Sequence, residues 1–238
     1  MANGVDLDIY NTVFSNCVAY DSGGALYAAG GGNGPELNVW GSEFYSNRTL
    51  RADDNYGGGA IYMELSRSGS ASWMSNTVFH GNSSEGSGGA FYLNNNGDFR
   101  FADIDFSGHG ASRNGGALRL GLASGSTAIV DNCSFTNVVS TNTSGGAIFF
   151  TGSAAGLLVT NSHFESCVAG DGNGDRGGAI YMESGVDLDI YNTVFSNCVA
   201  YENGGAVNAV GGANGPELNV WGSEFYSNRT LREYGDCG

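Results

Sequence analysis

Short runs in which apolar and polar residues alternate recur along the chain, and each closes on a phenylalanine. Leu7-Asp8-Ile9-Tyr10 leads to Phe14, Leu37-Asn38-Val39-Trp40 to Phe44, and Leu188-Asp189-Ile190-Tyr191 to Phe195. Alternation with period two is the pattern of a strand that buries one face. The phenylalanines are Phe14, Phe44, Phe79, Phe106, Phe135, Phe164, Phe195 and Phe225, spaced 27 to 35 residues apart. Five residues before each stands an apolar side chain: Ile9, Val39, Met74, Phe101, Val130, Val159, Ile190 and Val220. Three before each stands Asn, Asp or Gly, from Asn11 through Asp103 to Gly222. Those residue types tolerate left-handed backbone, so this column predicts a bend.

A second signal alternates with the first. Gly-Gly-Ala plus an apolar residue begins at Gly23, Gly58, Gly88, Gly115, Gly145, Gly177 and Gly204. The paired glycines predict another sharp bend, the Ala a crowded inward position, and the residues after it a short strand. Between the Phe and the glycines the sequence reads as a variable polar loop. Each unit of about 30 residues thus offers strands whose hydrophobic face is too small to stand alone, and stacking successive units buries one continuous core. The expected fold is all-β: a single-domain right-handed parallel β-helix of about eight coils, handed as parallel crossovers usually are. Its Phe side chains would stack into an interior ladder along a rod roughly 40 Å tall at about 4.8 Å per coil.

Residues 4–51 recur as residues 185–232 with six substitutions, all between Asp21 and Gly32 of the first copy. This shift of 181 residues places Met1 on Met182, which suggests a window from a longer tandem array. Composition narrows the function. The chain carries 41 Gly and only 2 Pro among its 238 residues, without the period of collagen. A net charge of −15 repels phosphate backbones and anionic lipid, so nucleic-acid and membrane-surface binding are not expected. No apolar stretch approaches the roughly 18 residues that membrane insertion needs. All nine basic residues are Arg, which excludes chemistry that needs a lysine.

The Gly-Gly-Ala-apolar motifs and the Phe-x-x-Asn motifs at Phe44 to Asn47, Phe79 to Asn82 and Phe225 to Asn228 resemble the repeats of polymorphic outer-membrane proteins. The resemblance implies a secreted or surface-displayed β-helix with adhesive or scaffolding duty.

Candidate chemistry is sparse. Cys167 and Cys198 both stand three residues after a Phe on neighbouring coils, which puts them within disulfide range. A disulfide and a ladder of buried thiols both fit that placement. Cys133 and Cys237 have no evident mates. Asp6, Asp8 and Glu36 form an outward acidic cluster that Asp187, Asp189 and Glu217 repeat. Such carboxylates could bind Ca²⁺ or act as a glycosidase pair, but recurrence in two places fits a solvated face better than a unique active site. His80, His109 and His163 lie on three different coils with no metal-ligand spacing. No catalytic, cofactor or metal residue is therefore assigned. Of the Asn-x-Ser/Thr sequons, Asn47, Asn82 and Asn228 fit an inward ladder, and Asn142 is the expected glycan acceptor. Trp40, Trp73 and Trp221 fit either sugar platforms or outer-face packing.

Three functions fit: a non-catalytic structural or adhesive segment of an extracellular fibre, joined head-to-tail to itself through open ends; an adhesin for surface glycans or a host receptor; and, by fold analogy alone, a polysaccharide lyase or hydrolase.

Overall fold

The computed structural model describes residues 6–30, 36–65, 71–95, 97–170, 172, 174–183, 185–210 and 217–232. Every regular element among them is a β-strand, and every strand pairing is parallel. The chain winds as a solenoid in which each coil is one Phe-centred unit. In coil 1 the strands are Leu7–Tyr10, Val13–Ser15, Val18–Ala19 and Leu26–Ala29. Their counterparts stack in register: Ile9 on Val39, Phe14 on Phe44, Ala19 on Thr49 and Tyr27 on Tyr62. The first two strands of all coils form one bent 14-stranded sheet, the third strands an 8-stranded sheet, and the strands after Gly-Gly-Ala a 7-stranded sheet. The stack is therefore eight coils deep on two faces and seven on the third.

Left-handed residues turn the corners. All eight residues of the column three before the Phe have φ between 48° and 62°. A second column, two residues after the Phe (Asn16, Ser46, Gly81, Gly108, Asn137, Ser166, Asn197, Ser227), has φ between 52° and 66°. That second corner corrects the sequence reading. The stretch after the Phe is not one loop but a bend followed by a two-residue strand, such as Val18–Ala19. A run of two is too short to carry a period, and the Asn, Ser and Gly of the bend read as generic loop residues.

The two glycines of each Gly-Gly-Ala have different tasks. The first is left-handed, as at Gly115 with φ 72°. The second is a close approach between coils: a Cβ on Gly116 would lie 2.1 Å from the carbonyl oxygen of Gly146 on the next coil.

The interior is a set of ladders. The Phe rings from Phe14 to Phe225 stack with centroids 4.6 to 5.1 Å apart. Two residues before each Phe runs a column of Thr12, Ser42, Thr77, Ser162, Thr193 and Ser223, interrupted by Ile104 and Cys133. Ser162 Oγ donates to its own Thr160 carbonyl and accepts the Cys133 amide of the preceding coil. These hydroxyls satisfy the amides that the first bend removes from the ladder.

Candidate functional site

Three residues after each Phe the side chain points inward, and here the core is polar. Asn47 and Asn82 are fully buried. Asn82 Oδ1 accepts from the Asn47 amide at 2.9 Å and from Asn47 Nδ2 at 3.0 Å, while Asn82 Nδ2 donates to the Phe44 carbonyl at 2.8 Å. The column passes to coil 4 through His109, whose Nδ1 accepts from the Asn82 amide at 3.1 Å. The expected inward ladder is present at Asn47 and Asn82, which are sealed inside the rod. Asn228 makes the same bonds, accepting from the Cys198 amide and donating to the Phe195 carbonyl, but on coil 8 it is only half-buried.

His109 Nε2 is buried without a hydrogen-bond partner. Burial pushes the imidazole down to about 3, so it is neutral in the fold. A histidine with a depressed folded pKa contributes its full stability above the unfolded value near 6.5 and loses it as pH falls towards 3. Chemical denaturation of the wild type should therefore lose about 3 kcal/mol more than a His109→Asn variant between pH 6.5 and pH 4. Parallel pH profiles for the two proteins would contradict this.

Further along the column Cys167 and Cys198 are both fully buried, side by side on coils 6 and 7. They are free thiols in mutual hydrogen-bonding reach, and burial raises the Cys167 thiol well above its ordinary value. Cys17 is free and half-buried. Cys133 sits in the hydroxyl column with Sγ 3.4 Å from the Asp131 carbonyl. Cys237 lies outside the described residues.

The acidic cluster is spent on joining coils. Asp6 accepts the Glu36 amide at 3.3 Å and Asp8 accepts Asn38 Nδ2 at 2.9 Å. Asp187 and Asp189 repeat both bonds to Glu217 and Asn219. His80 and His163 lie apart, against Ser107 and Ser196 respectively. Trp40 and Trp221 are exposed but neighbour tyrosines in their column, not each other, and Trp73 stands in a different column between Asn38 and Arg100. Asn142 is exposed, with Nδ2 donating to the Ser112 carbonyl at 3.0 Å.

Two surface features stand out. One is the edge of coil 8. In coil 2, Leu37, Val39 and Phe44 are completely covered; in coil 8, whose sequence from Glu217 to Arg232 is that of Glu36 to Arg51, Leu218, Val220 and Phe225 are 40 to 46% exposed. The other is a groove of about 400 Å³ on coils 1 and 2, walled by Tyr20, Asp21, Ser22, Tyr27, Asn55, Tyr56 and Tyr62. Tyr27 stacks on Tyr62 at 5.1 Å, and Arg51 bridges Asp21 at 2.8 Å while lying 3.6 Å over the Tyr56 ring. Three of the six substitutions between the two long copies fall on this wall: Asp21, Ser22 and Tyr27 are replaced by Glu202, Asn203 and Asn208. The sequence gives no hint of the groove, because its tyrosines come from two coils and meet only on stacking.

The segment from Asn76 to Asn94 carries one of each element in order: outward bend, Phe79, buried Asn82, the Gly88-Gly89 corner and the strand that opens at Phe91. Residues 76–94 match the Chlamydia polymorphic membrane protein repeat. The chain has no significant match among the curated proteins or among the solved structures. The repeat thus supplies one coil of the β-solenoid less its first strand.

Proposed function

We propose that the chain is a non-catalytic segment of a β-solenoid rod displayed outside the cell or on its surface, structural or adhesive in duty and continued head-to-tail through its open edges. The supporting observation is the contrast between coils 2 and 8. One sequence presents one set of apolar columns, covered in the first case and uncovered in the second. Exposed apolar columns beside unpaired strand groups favour a further coil. The acidic pairs, occupied as inter-coil hydrogen-bond acceptors, suit a scaffold better than an acid–base centre. Electron microscopy of material isolated from its source, without refolding, tests this. Uniform rods far longer than the roughly 40 Å of eight coils are expected; discrete short rods would overturn it.

In such an oxidising setting Cys167 and Cys198 form a disulfide, worth about 3 kcal/mol. Protein from the source should be two hydrogens lighter at this peptide pair and refractory to alkylation after unfolding. Alkylation of both thiols would contradict the bond.

The tyrosine groove favours a second reading, an adhesin for surface glycans, because three of the six differences between two otherwise near-identical copies fall on its wall. Tyrosine faces beside Asp21 and Asn55 suit a neutral sugar. Tyr27→Asn, which installs the residue of the other copy, should weaken glycan or host-cell binding by about 10-fold or more. Unchanged binding would remove the groove from the account.

A further inference from the structure

The edge of coil 8 is specific in its polar groups as well as its apolar columns. Coil 2 carries the same residues from Glu36 to Arg51, so its contacts with coil 3 read out what coil 8 demands. Three residues of coil 2 make side-chain hydrogen bonds to coil 3 that are sealed in the core. The Leu37 amide donates to Ser72 Oγ at 3.1 Å, the Asn47 amide and Nδ2 both donate to Asn82 Oδ1, and Thr49 Oγ1 is bonded to Ser84 Oγ at 2.9 Å. Ser72, Asn82 and Ser84 are all at least 96% buried. Around them Phe44 stacks on Phe79 at 4.7 Å.

On coil 8 the same donors are the Leu218 amide, the Asn228 amide and side chain, and the Thr230 hydroxyl. The first coil of a second copy of this chain would match the apolar column, offering Phe14. At the three polar positions it offers Leu7, Cys17 and Ala19, with no side-chain oxygen at any of them. A strand of this type can still give the Leu218 amide a main-chain carbonyl, as Glu36 does for Leu7 at 2.8 Å, so the discrimination rests on the Asn228 and Thr230 groups. A donor sealed without its acceptor loses its water and gains nothing.

We propose that the coil 8 edge is a docking surface for a solenoid coil of coil 3 type, with hydroxyl, aromatic, amide and hydroxyl groups at the places of Ser72, Phe79, Asn82 and Ser84, and that it discriminates against coil 1 of a second copy. The proposal rests on the reading of the chain as a continuing rod and names the chemistry of the continuation. The rod then repeats every six coils, and the isolated chain does not polymerise efficiently on itself.

The 181-residue shift aligns Gly238 with Gly57, so a second copy of residues 58–95 fused after Gly238 of the full chain falls in register. Two extended proteins are compared with the 238-residue chain by thermal unfolding and sedimentation velocity. One carries the natural segment; the other carries S72L, N82C and S84A within the added copy, the residues of coil 1. The natural extension should raise Tm by about 5 °C, and the substituted one should recover little of that rise. Equal stabilisation by both would overturn the discrimination while leaving the open edge an acceptor. Stabilisation by neither, or efficient end-to-end polymerisation of the unextended chain, would overturn the proposal; the former would remove the continuing rod as well.

Discussion

Phe135→Ala is expected to cost about 3–5 kcal/mol and to lower Tm by about 6–20 °C. Phe135 is fully buried and stacks on Phe106 at 4.8 Å and on Phe164 at 4.6 Å, with rings nearly parallel in both pairs. Its removal leaves a cavity whose walls cannot collapse, because the coils above and below are pinned by backbone ladders on three faces. A solenoid couples only neighbouring coils, so a defect in the middle also weakens communication between the two ends. The unfolding transition should broaden or split. Phe225→Ala is the internal control: the same residue type at the same place in the repeat, but 46% exposed and stacked on one side only. It should cost less than about 1.5 kcal/mol. Equal losses for the two variants would mean that the ladder is not the core.

Gly116→Ala should be strongly destabilising, at about 4 kcal/mol or more. The same holds for a methyl at the equivalent second glycine of other Gly-Gly-Ala corners, where a Cβ would stand 1.9 to 2.1 Å from the next coil at Gly24, Gly59, Gly89, Gly146 and Gly178. The Gly116 backbone is not left-handed; the obstacle is space. The new Cβ would stand 2.1 Å from the Gly146 oxygen and 2.6 Å from Val139 backbone atoms, and neither can move without parting two coils. Two other glycines separate the possible causes. Gly125 has φ 80° and open space around a Cβ, so Gly125→Ala pays only backbone strain of about 1 kcal/mol. Gly110 has neither obstacle, and Gly110→Ala should change stability by less than about 0.5 kcal/mol. Urea denaturation of the three variants gives the order; a mild Gly116→Ala would show that the corner is looser than drawn.

The parts of this fold that repeat as a single residue type were legible before any coordinates. Phe14 to Phe225, the Gly-Gly-Ala corners and the Asn-rich bend three before the Phe each hold one chemistry across nearly all coils, because a stacked column offers every coil the same environment. Columns that accept several solutions were hidden. The second corner is served by Asn, Ser or Gly, since each meets the need for φ near 55° in its own way. The hydroxyl column reads as ordinary polar sequence until Ser162 is seen bonding two coils. The interior column of Asn47, Asn82, His109, Val138 and Cys167 looks irregular in sequence, yet its members share an inward place. Spacing alone put Cys167 and Cys198 on neighbouring coils, where they stand as free thiols. The open end was expected from the long repeat, but the polar groups it presents and the tyrosine groove were not legible: both depend on which coil lies against which.

Hydrogen exchange on the two identical segments tests the continuing solenoid most directly, since Glu36–Arg51 and Glu217–Arg232 have the same intrinsic exchange rates. Peptides that run past Arg51 into Ala52, or past Arg232 into Glu233, tell them apart. In coil 2 the amides of Leu37, Gly41, Ser46 and Asn47 all donate to coil 3. In the isolated chain their counterparts Leu218, Gly222, Ser227 and Asn228 should exchange orders of magnitude faster. In material taken intact from its source, both segments should be equally protected. Coil 8 amides that stay unprotected in that material would contradict a rod continuing through this edge.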